Sequence, residues 1–492
     1  MTHRALKEGA WYGGLRVVSQ ACSWAVTIAI ARILRPTDYG LVAMATVLTG
    51  YIEIFNEMGL GAAIVQRKQV TEEELSSVFW FTLLTGFLFA LAAWLLAYPT
   101  AKLFAEPRLV AITRTCALLF VISSMTSVPY SLLQREVRFR EIGLIGLIAS
   151  LVQTSAMLAM AIMGFGVWTL VGGQVIQRTM TSVLSFWRSS WWPKLHFRLI
   201  ETRQMLYFGL NIAASRSVFY LFQRSDQFII GKVFNAMLLG LYSLAFQLAS
   251  IPTDKVVSIV QQVSFPVFSR MQGNPDESRR LYLKLNYYIA LGVTPVYAAG
   301  LLFADPLIPI LLGEKWRSII PLFRMLCVMN FFLNISDLNN TVHTAQGRPR
   351  WRLYYMLVSV TVMPALILVA ALYGFEFVGI PWITVFPLIC VGWILISLRK
   401  LEIRYGEYLR IFAVPSGATM AMATGVFVLR KLPGWPGSRP YGGAAVLAIE
   451  ILFAGAIFLV TVAVTDRRAF DGMMALVRPK LERTPPEEAD AG

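Results

Sequence analysis

The sequence predicts an all-α membrane protein with about 14 transmembrane helices, and composition, hydropathy and an internal repeat support this fold class. Of the 492 residues, 57% are hydrophobic and only 15% are charged, whereas about a quarter of the residues in soluble domains are charged. Apolar windows of about 20 residues recur along the whole chain, separated by short connectors that carry charge, proline or glycine. The chain is therefore predicted to be a polytopic membrane protein.

The predicted spans follow one another closely, which leaves no room for a soluble domain between them. The first window follows a short basic leader and is one of many similar windows, so we interpret it as a retained helix rather than a cleaved signal. The windows lie at 10–34, 40–62, 75–98, 109–133, 142–164, 166–188, 204–231, 237–264, 282–304, 317–340, 350–373, 377–399, 408–430 and 442–465.

Basic residues are unevenly distributed between alternate connectors, and this bias predicts the orientation of the chain. Connectors on the side of the N-terminus hold 27 Lys and Arg residues, and those on the opposite side hold 10. Because cytoplasmic connectors carry the basic excess, both termini are predicted to be cytoplasmic. The net charge of +16 is explained mainly by this bias, and it attracts the chain to anionic lipid. It therefore does not indicate nucleic-acid binding.

The cysteines and histidines form no recognisable metal or redox motif. All four cysteines fall inside predicted spans, without CxxC spacing or neighbouring histidines, and are interpreted as packing residues. His3, His196 and His343 are scattered over connectors and a helix end. We therefore predict neither a metal site nor a cofactor.

Once the 37 basic residues counted with the connectors are set aside, thirteen charged residues remain in the predicted spans. Such groups are costly in lipid and usually face a bundle interior or a water-filled cavity, where they mark ion or substrate pathways. The basic ones are Arg16, Arg114, Arg178, Arg216, Arg224, Lys255 and Arg324, and the acidic ones are Glu53, Glu57, Asp226, Asp254, Asp337 and Glu450.

Structural explanations stay open for several of these groups. Arg16 and Arg178 can snorkel to the head groups if they lie near helix ends. Glu53 and Glu57 are four residues apart on one helical face, which favours a cavity position for Glu57 more than for an isolated acid. A helix-end or packing role for these acids is an equally good interpretation.

One predicted span carries two arginines and an aspartate. Arg216 and Arg224 are eight residues apart, a little over two helical turns, so they lie close to one face and form a ladder of guanidinium groups. Asp226 is about 200° further round the helix than Arg224. It is therefore predicted to meet a neighbouring helix or the outer interface, as an ion-pair partner or as a coupling-ion group.

A shift of 200 residues aligns the segment ARILRPTDYGLVAMATVL at 31–48 with GKVFNAMLLGLYSLAFQL at 231–248. Six spans separate the two segments, and an even number preserves orientation, which indicates a parallel repeat. Two pseudo-symmetric six-helix lobes around a central cavity are therefore predicted, with alternating access by rocking of one lobe against the other. The predicted domains are an N-terminal lobe at 1–203, a C-terminal lobe at 204–400, two additional helices at 401–466 and a disordered cytoplasmic tail at 467–492.

Several spaced motifs resemble one family of membrane transporters. They include LRPTDYGLVAMATV at 34–47, FNEMGLGAAIVQRKQVTEEELSSVFWF at 55–81, VSFPVFSRMQ at 263–272 and LGEKWRSIIPLFRMLCV at 312–328. In this order they resemble oligosaccharide flippases of the Wzx type, in the branch linked to colanic acid and other exopolysaccharides. These flippases belong to the multidrug/oligosaccharidyl-lipid/polysaccharide exporter superfamily, and the resemblance covers about the first 400 residues.

The resemblance implies a cargo, a coupling ion and a location. The cargo is an oligosaccharide repeat unit on undecaprenyl pyrophosphate, moved across the bacterial cytoplasmic membrane with H⁺ or Na⁺ as coupling ion, in company with other polysaccharide-assembly membrane proteins. A positive cavity between the lobes can hold the pyrophosphate with arginines. The cavity cations are predicted to be Arg216, Arg224, Arg16, Arg178 and Arg324, and the coupling-ion candidates, at positions where the family often has acids, are Glu57 and Asp226.

Two other function classes are compatible with parts of this pattern. A multidrug exporter of the same superfamily needs cavity acids for cationic drugs, whereas seven basic against six acidic residues in the spans favour an anionic cargo. A membrane glycosyltransferase or polymerase needs acidic or histidine catalytic groups on a sizeable outer loop, and the outer connectors are short. The protein is therefore predicted to be a transporter rather than an enzyme.

Overall fold

The computed structural model describes residues 23, 26–57, 61, 64–65, 67, 70–198, 217–253, 258–271, 274–433, 435 and 443–471, and every regular element in these ranges is helical. The helices are α1 (26–33), α2 (Pro36–Glu57), α3 (Glu72–Leu103), α4 (Leu109–Arg135), α5 (Phe139–Ile162), α6 (Val167–Ser189), α7 (217–233), α8 (Ala236–Pro252), α9 (Ser258–Arg270), α10 (Pro275–Leu312), α11 (Ile320–Ala345), α12 (Pro349–Tyr373), α13 (Ile380–Ile383), α14 (Val385–Lys400), α15 (Tyr405–Arg410), α16 (Ala413–Lys431) and α17 (Ala444–Thr465). Two 3₁₀ helices lie at Glu314–Ile319 and Phe375–Gly379.

The helix class predicted from hydropathy is confirmed. Within the ranges just given, nine helical stretches are long and apolar enough to cross a membrane, and most boundaries agree with the predicted spans. One predicted span, 237–264, corresponds to the two helices α8 and α9, and residues 254–257 between them, with Asp254 and Lys255, lie outside the described residues. The count of 14 helices and the two-lobe arrangement stay predictions.

Helix α3 shows how the local sequence sets a boundary. The Thr71 hydroxyl accepts a hydrogen bond from the Glu74 N–H, and the Glu74 carboxylate accepts one from the Thr71 N–H. This reciprocal pair satisfies two backbone donors that a helix N-terminus otherwise leaves unpaired. Arg67 adds an ion pair to the same carboxylate at 3.1 Å. The helix therefore begins where the polar VTEEE segment meets the apolar run.

The 200-residue offset relates two helix breaks in the structure. Helix α1 ends at residue 33 and α2 begins at Pro36, while α7 ends at residue 233 and α8 begins at Ala236. A Cβ atom at Gly40 would lie 1.6 Å from the Ala236 carbonyl oxygen, and one at Gly240 would lie 1.8 Å from the Pro36 carbonyl oxygen. Because the two backbones touch, only glycine fits at either position.

Contacts divide the chain into two compact units. The first consists of residues 1–246, 311–322 and 356–381, and the second consists of 247–310, 323–355 and 382–492. In the first unit the buried Trp316 donates its indole N–H to the Ala31 carbonyl at 2.9 Å, which fixes the 3₁₀ helix against the end of α1. The predicted division into lobes at 1–203 and 204–400 stays a prediction.

The second unit is built around α10, against which α16 and α17 pack. Their apolar faces share a core that includes Leu291, Phe303, Met422 and Phe458. The same unit holds a network of neutral polar side chains. Its centre is Asn334, whose amide donates to the Thr253 hydroxyl at 2.9 Å and to the Tyr297 hydroxyl at 3.0 Å, while Thr253 donates to Asn330 at 3.2 Å.

Candidate functional site

A polar cavity of about 330 Å³ lies within the first unit, between α2, α4, α6 and α7. Each wall follows helical spacing, because residues three, four, seven or eight apart share one face of a helix. The cavity is lined by Thr46, Thr49, Gly50, Glu53 and Ile54 of α2, by Cys116, Leu119 and Phe120 of α4, by Gln174 and Arg178 of α6, and by Tyr220 and Arg224 of α7.

Two of the cavity residues form an ion pair between helices. The Arg178 Nη2 atom lies 2.7 Å from the Glu53 Oε1 atom, and the side chains are 45% and 30% exposed. Arg178 lies near the middle of α6, so its position does not match the helix-end snorkelling that the sequence left open. Because both groups remain accessible, the pair contributes little to stability and its charges stay available to a ligand.

Arg224 is held by residues of its own helix. Its Nη1 atom donates to Gln227 Oε1 at 2.9 Å, and its guanidinium lies 6.0 Å from the Tyr220 ring centroid. Among the ion pairs of the described residues, none includes Arg224. The hydrogen bond to a neutral amide does not neutralise the positive charge of Arg224, and no carboxylate of the described residues forms an ion pair with it.

Tyr220 crosses the cavity wall and meets α2 at a glycine. Its hydroxyl donates to the Thr46 carbonyl oxygen at 2.7 Å. A Cβ atom at Gly50 would lie 2.3 Å from that hydroxyl oxygen. Gly50 therefore provides the space that lets the ring lie against α2 and helps to set the distance between α2 and α7.

These side chains can bind an anion. Two guanidinium groups and one carboxylate give the lining a formal excess of one positive charge, and each guanidinium offers several N–H donors in a planar fork. Gln174, the Thr46 and Thr49 hydroxyls and Tyr220 add neutral polar and aromatic surface. The arrangement suits a ligand that joins a phosphate-like group to a polar body.

The other predicted cations are found elsewhere. Arg324 belongs to the second unit, where its Nη2 atom pairs with Asp305 Oδ2 at 2.6 Å and its Nε donates to the Leu301 carbonyl at 3.2 Å. Arg16 and Arg216 lie outside the described residues. The structure thus brings two of the five predicted cations, Arg178 and Arg224, into one cavity.

The two predicted acids differ in position. Asp226 is buried, and its carboxylate accepts a hydrogen bond from the Tyr242 hydroxyl of α8 at 2.5 Å and one from the Gln227 N–H at 2.7 Å. This agrees with the expectation that it meets a neighbouring helix, and it is not among the residues that line the cavity. Glu57 is the last residue of α2, and its side chain is outside the described part of the structure.

Sequence reasoning missed several lining residues that a simple signal points to. Gln174 lies four residues before Arg178, and Tyr220 lies four residues before Arg224, so each shares a helical face with a predicted cation. The sequence predicts that Glu53 shares a helical face with Glu57, but the pattern of one helix does not identify Arg178 as its partner. Polar or aromatic neighbours at this spacing are the signal that identifies the remaining wall.

Two further charged groups of the spans have structural partners. The Arg114 guanidinium lies 4.1 Å from the Trp94 ring centroid, a cation–π contact between α4 and α3. Glu450 is buried and accepts hydrogen bonds from Arg430 at 2.8 Å and from the Trp435 indole at 3.0 Å. Among the described residues, no group of three or more His, Cys, Asp or Glu is placed to hold a metal ion.

Comparison with known proteins identifies the family. The family model described as polysaccharide biosynthesis protein matches residues 29–321, more than half of the chain. This region contains most of α1, all of α2 to α10 and all of the cavity residues, so the family assignment covers the site.

Three curated relatives are named for the biosynthesis or transport of polysaccharides or lipopolysaccharide. The lipopolysaccharide biosynthesis protein WzxC of Escherichia coli (strain K12) is 26% identical over 65% of this chain and 65% of its own length, just under two thirds. The teichuronic acid biosynthesis protein TuaB of Bacillus subtilis (strain 168) is 26% identical over 76% of this chain and 78% of its own. The succinoglycan biosynthesis transport protein ExoT of Rhizobium meliloti (strain 1021) is 24% identical over 94% of both chains.

Solved structures identify the fold. The lipid II flippase MurJ in an inward closed conformation superposes with a TM-score of 0.72 and 12% identity, over 95% of this chain and 99% of its own. An inward-facing multidrug transporter of the MATE family matches with a TM-score of 0.64 and 14% identity, over 77% of this chain and 94% of its own. The chain therefore belongs to the polysaccharide biosynthesis protein family, is a multi-pass membrane protein, and shares its fold with the flippase and multidrug transporter structures just compared.

Proposed function

We propose that this protein flips an undecaprenyl-pyrophosphate-linked oligosaccharide repeat unit from the cytoplasmic to the outer leaflet by alternating access. It acts in exopolysaccharide or lipopolysaccharide biosynthesis, in the bacterial cytoplasmic membrane, with both termini cytoplasmic. The observation that carries the proposal is the pair of arginines, Arg178 and Arg224, from two helices in one polar cavity of a member of this family.

The cavity residues suit each part of the cargo. A pyrophosphate cannot cross hydrocarbon unaided, and arginines bind phosphate oxygens through charge-assisted, often bidentate, hydrogen bonds. Gln174 and the Tyr220 ring lie beside the two cations and offer an amide and an aromatic face to sugar hydroxyls and sugar rings. The polyprenyl tail, being apolar, stays in the lipid while the head group passes.

The other three predicted cations are also proposed to bind the cargo, but the support for each of them differs. Arg216 shares the predicted helical face of Arg224 and is proposed to extend the cationic wall, and Arg16 is proposed to contribute from the first predicted span. Arg324 has less support than these, because its guanidinium is paired with Asp305.

Transport is proposed to be coupled to H⁺ or Na⁺ entry, with Glu57 and Asp226 as the predicted coupling acids. Glu53 joins them, because it is the carboxylate that lines the described cavity and pairs with Arg178. Binding of an anionic head group to Arg178 would compete with this pair and release Glu53 to take up a cation. Other membrane proteins of polysaccharide assembly are proposed to supply and receive the cargo.

The test uses purified protein in liposomes with a labelled undecaprenyl-pyrophosphate oligosaccharide, and it measures transfer between leaflets with and without a proton or sodium gradient. We expect transfer that requires the protein, increases with one of the gradients, and fails in Arg216→Ala and Arg224→Ala variants that insert normally. Lengthening or cleavage of the glycan, or efflux of cationic dyes without glycan transfer, would overturn the proposal.

A further inference from the structure

A second cavity, of about 370 Å³, lies in the second unit where several helices end. Its lining comes from the beginning of α10, from the segment after α11 and from the end of α14. The connectors concerned are among those that the bias of basic residues predicts to be cytoplasmic. The cavity therefore lies at the level expected for the head groups of the cytoplasmic leaflet.

Two similar turns form its rim. After α11, Gly347 adopts a left-handed conformation with φ of 73°, and the Arg348 N–H donates to the His343 carbonyl at 2.8 Å. After α14, Glu402 is left-handed with φ of 54°, and the Ile403 N–H donates to the Leu398 carbonyl at 2.9 Å. Each turn thus closes a helix C-terminus with the same backbone hydrogen bond between residues five apart, as in a Schellman motif.

The rim carries two cations without carboxylate partners among the described ion pairs. Arg348 and Lys400 both line the cavity, and neither takes part in an ion pair of the described residues. Deeper in the wall the Gln346 amide donates to the hydroxyl of the buried Ser278 at 3.1 Å. Cationic and neutral hydrogen-bonding groups therefore line one cavity.

The surroundings are those of a membrane interface. The Lys400 Nζ atom lies 5.2 Å from the ring centroid of Trp351, and aromatic residues of this type are enriched where head groups meet hydrocarbon. Met271 and Leu401 add apolar surface to the wall. A ligand with a charged head and an apolar body matches this lining better than a fully solvated ion does.

Glu402 sets the charge of the cavity. Its carboxylate belongs to the lining with Arg348 and Lys400, so the three charges leave a formal excess of one positive charge. A phosphodiester carries one negative charge, which matches this excess.

We propose that this second cavity binds the phosphodiester of an anionic phospholipid of the cytoplasmic leaflet, with Arg348 and Lys400 as its cations. The site is separate from the cavity between α2, α4, α6 and α7, and the inference does not depend on the proposed transport activity.

The experiment measures lipid binding to the purified full-length protein by native mass spectrometry, with phosphatidylglycerol and phosphatidylcholine added in turn. We expect phosphatidylglycerol to bind more tightly, and we expect an Arg348→Gln, Lys400→Gln variant to weaken its binding about tenfold to thirtyfold. Glu402→Gln should strengthen binding several-fold, because it removes the competing carboxylate.

The matched control is an Arg350→Gln, Arg352→Gln variant, which removes the same charge from the first turn of α12, next to Arg348 in the chain, without touching the lining. Its lipid affinity should stay within about threefold of the unmodified protein. Equal weakening in both double variants would mean general attraction to anionic lipid and would overturn the site. Inorganic phosphate that displaces the lipid at millimolar concentration would identify a soluble anion as the ligand instead. If the double variant does not fold, Arg348→Gln alone should still weaken binding several-fold, and unchanged binding would overturn the proposal.

Discussion

The two units hold polar side chains among apolar helices in different ways. In the first unit Arg178, Glu53 and Arg224 are charged and line a cavity of about 330 Å³, with the first two between 30% and 45% exposed. In the second unit Asn330, Asn334 and Tyr297 are neutral, at most 3% exposed, and bonded to one another or to Thr253.

We infer that this difference separates accessible charges, which are proposed to bind a ligand, from neutral side chains that hold helices together. A neutral amide network satisfies its donors internally and can be packed without space for water. Charged groups cannot be packed in this way without a large desolvation cost, so they stay accessible and attract an oppositely charged partner. Four predictions test this distinction.

The largest effect is expected from removing both cavity cations. An Arg178→Ala, Arg224→Ala variant should lower glycan transfer at least about a hundredfold, because each lost hydrogen-bonded charge weakens phosphate binding by about 1.5–3 kcal/mol. Arg114→Ala is the matched control, since Arg114 stacks on Trp94 and does not line the cavity. Both variants are compared in the liposome assay at equal protein, and equal loss in the control would contradict a cationic site.

The amide network of the second unit should affect stability instead. Asn334→Leu removes the donor that serves Thr253 and Tyr297, and it should lower the free energy of unfolding by about 2–4 kcal/mol. Thermal unfolding in detergent measures this, with Thr361→Val of the lipid-facing side as control, because Thr361 bonds only within its own helix. A stable variant that loses transport would show that the network belongs to a ligand site and that the distinction is wrong.

A smaller effect on transport is expected at the point where α2 meets Tyr220. Gly50→Ala places a methyl group 2.3 Å from the Tyr220 hydroxyl oxygen and should lower transfer about fivefold by displacing the ring into the cavity. Adding Tyr220→Phe should restore most of the activity, because it removes the closest atom. Gly146→Ala, where a Cβ atom meets nothing within 4 Å, should have no effect, and a failure of the rescue would argue against this packing.

The smallest effect is expected from the carboxylate of the cavity. Glu53→Gln removes the partner of Arg178 and should increase the affinity for inorganic pyrophosphate about twofold to fivefold, because anion and carboxylate compete for one guanidinium. The free energy of unfolding should change by less than about 1 kcal/mol, since the pair is partly exposed. Calorimetric titration measures the affinity, with Glu141→Gln as control, because Glu141 pairs with Arg138 outside the cavity. Weaker pyrophosphate binding would show that Glu53 orients Arg178 for the ligand.

Much of the fold could be predicted because each membrane helix satisfies its own backbone. Hydropathy therefore located the helices without knowledge of their neighbours. The internal repeat could also be detected in the sequence, and the helix breaks before Pro36 and Ala236 lie 200 residues apart, as the repeat predicts. The helical period predicted one face for Arg216 and Arg224, and the cost of charge in lipid predicted a cavity position for Arg178 and Arg224, with snorkelling left open for Arg178.

Partners across helices could not be predicted in the same way. The sequence predicts Arg324 to be one of the cavity cations, yet the structure shows it in an ion pair with Asp305 of α10 in the second unit. The spacing within one helix names no partner for Arg324 or for Arg178, because each partner lies on a different helix. The difference arises from which helices are neighbours.

The sequence by itself thus determined a polytopic helical membrane protein and its family, and it predicted two of the arginines that line the cavity. Hydropathy, helical period and motif order are all local along the chain. Only the tertiary structure decided that Glu53 pairs with Arg178, 125 residues away, and that Tyr220 rests on Gly50. The physical reason is that helical periodicity fixes the direction of a side chain around its own axis, while packing fixes which other helix it meets.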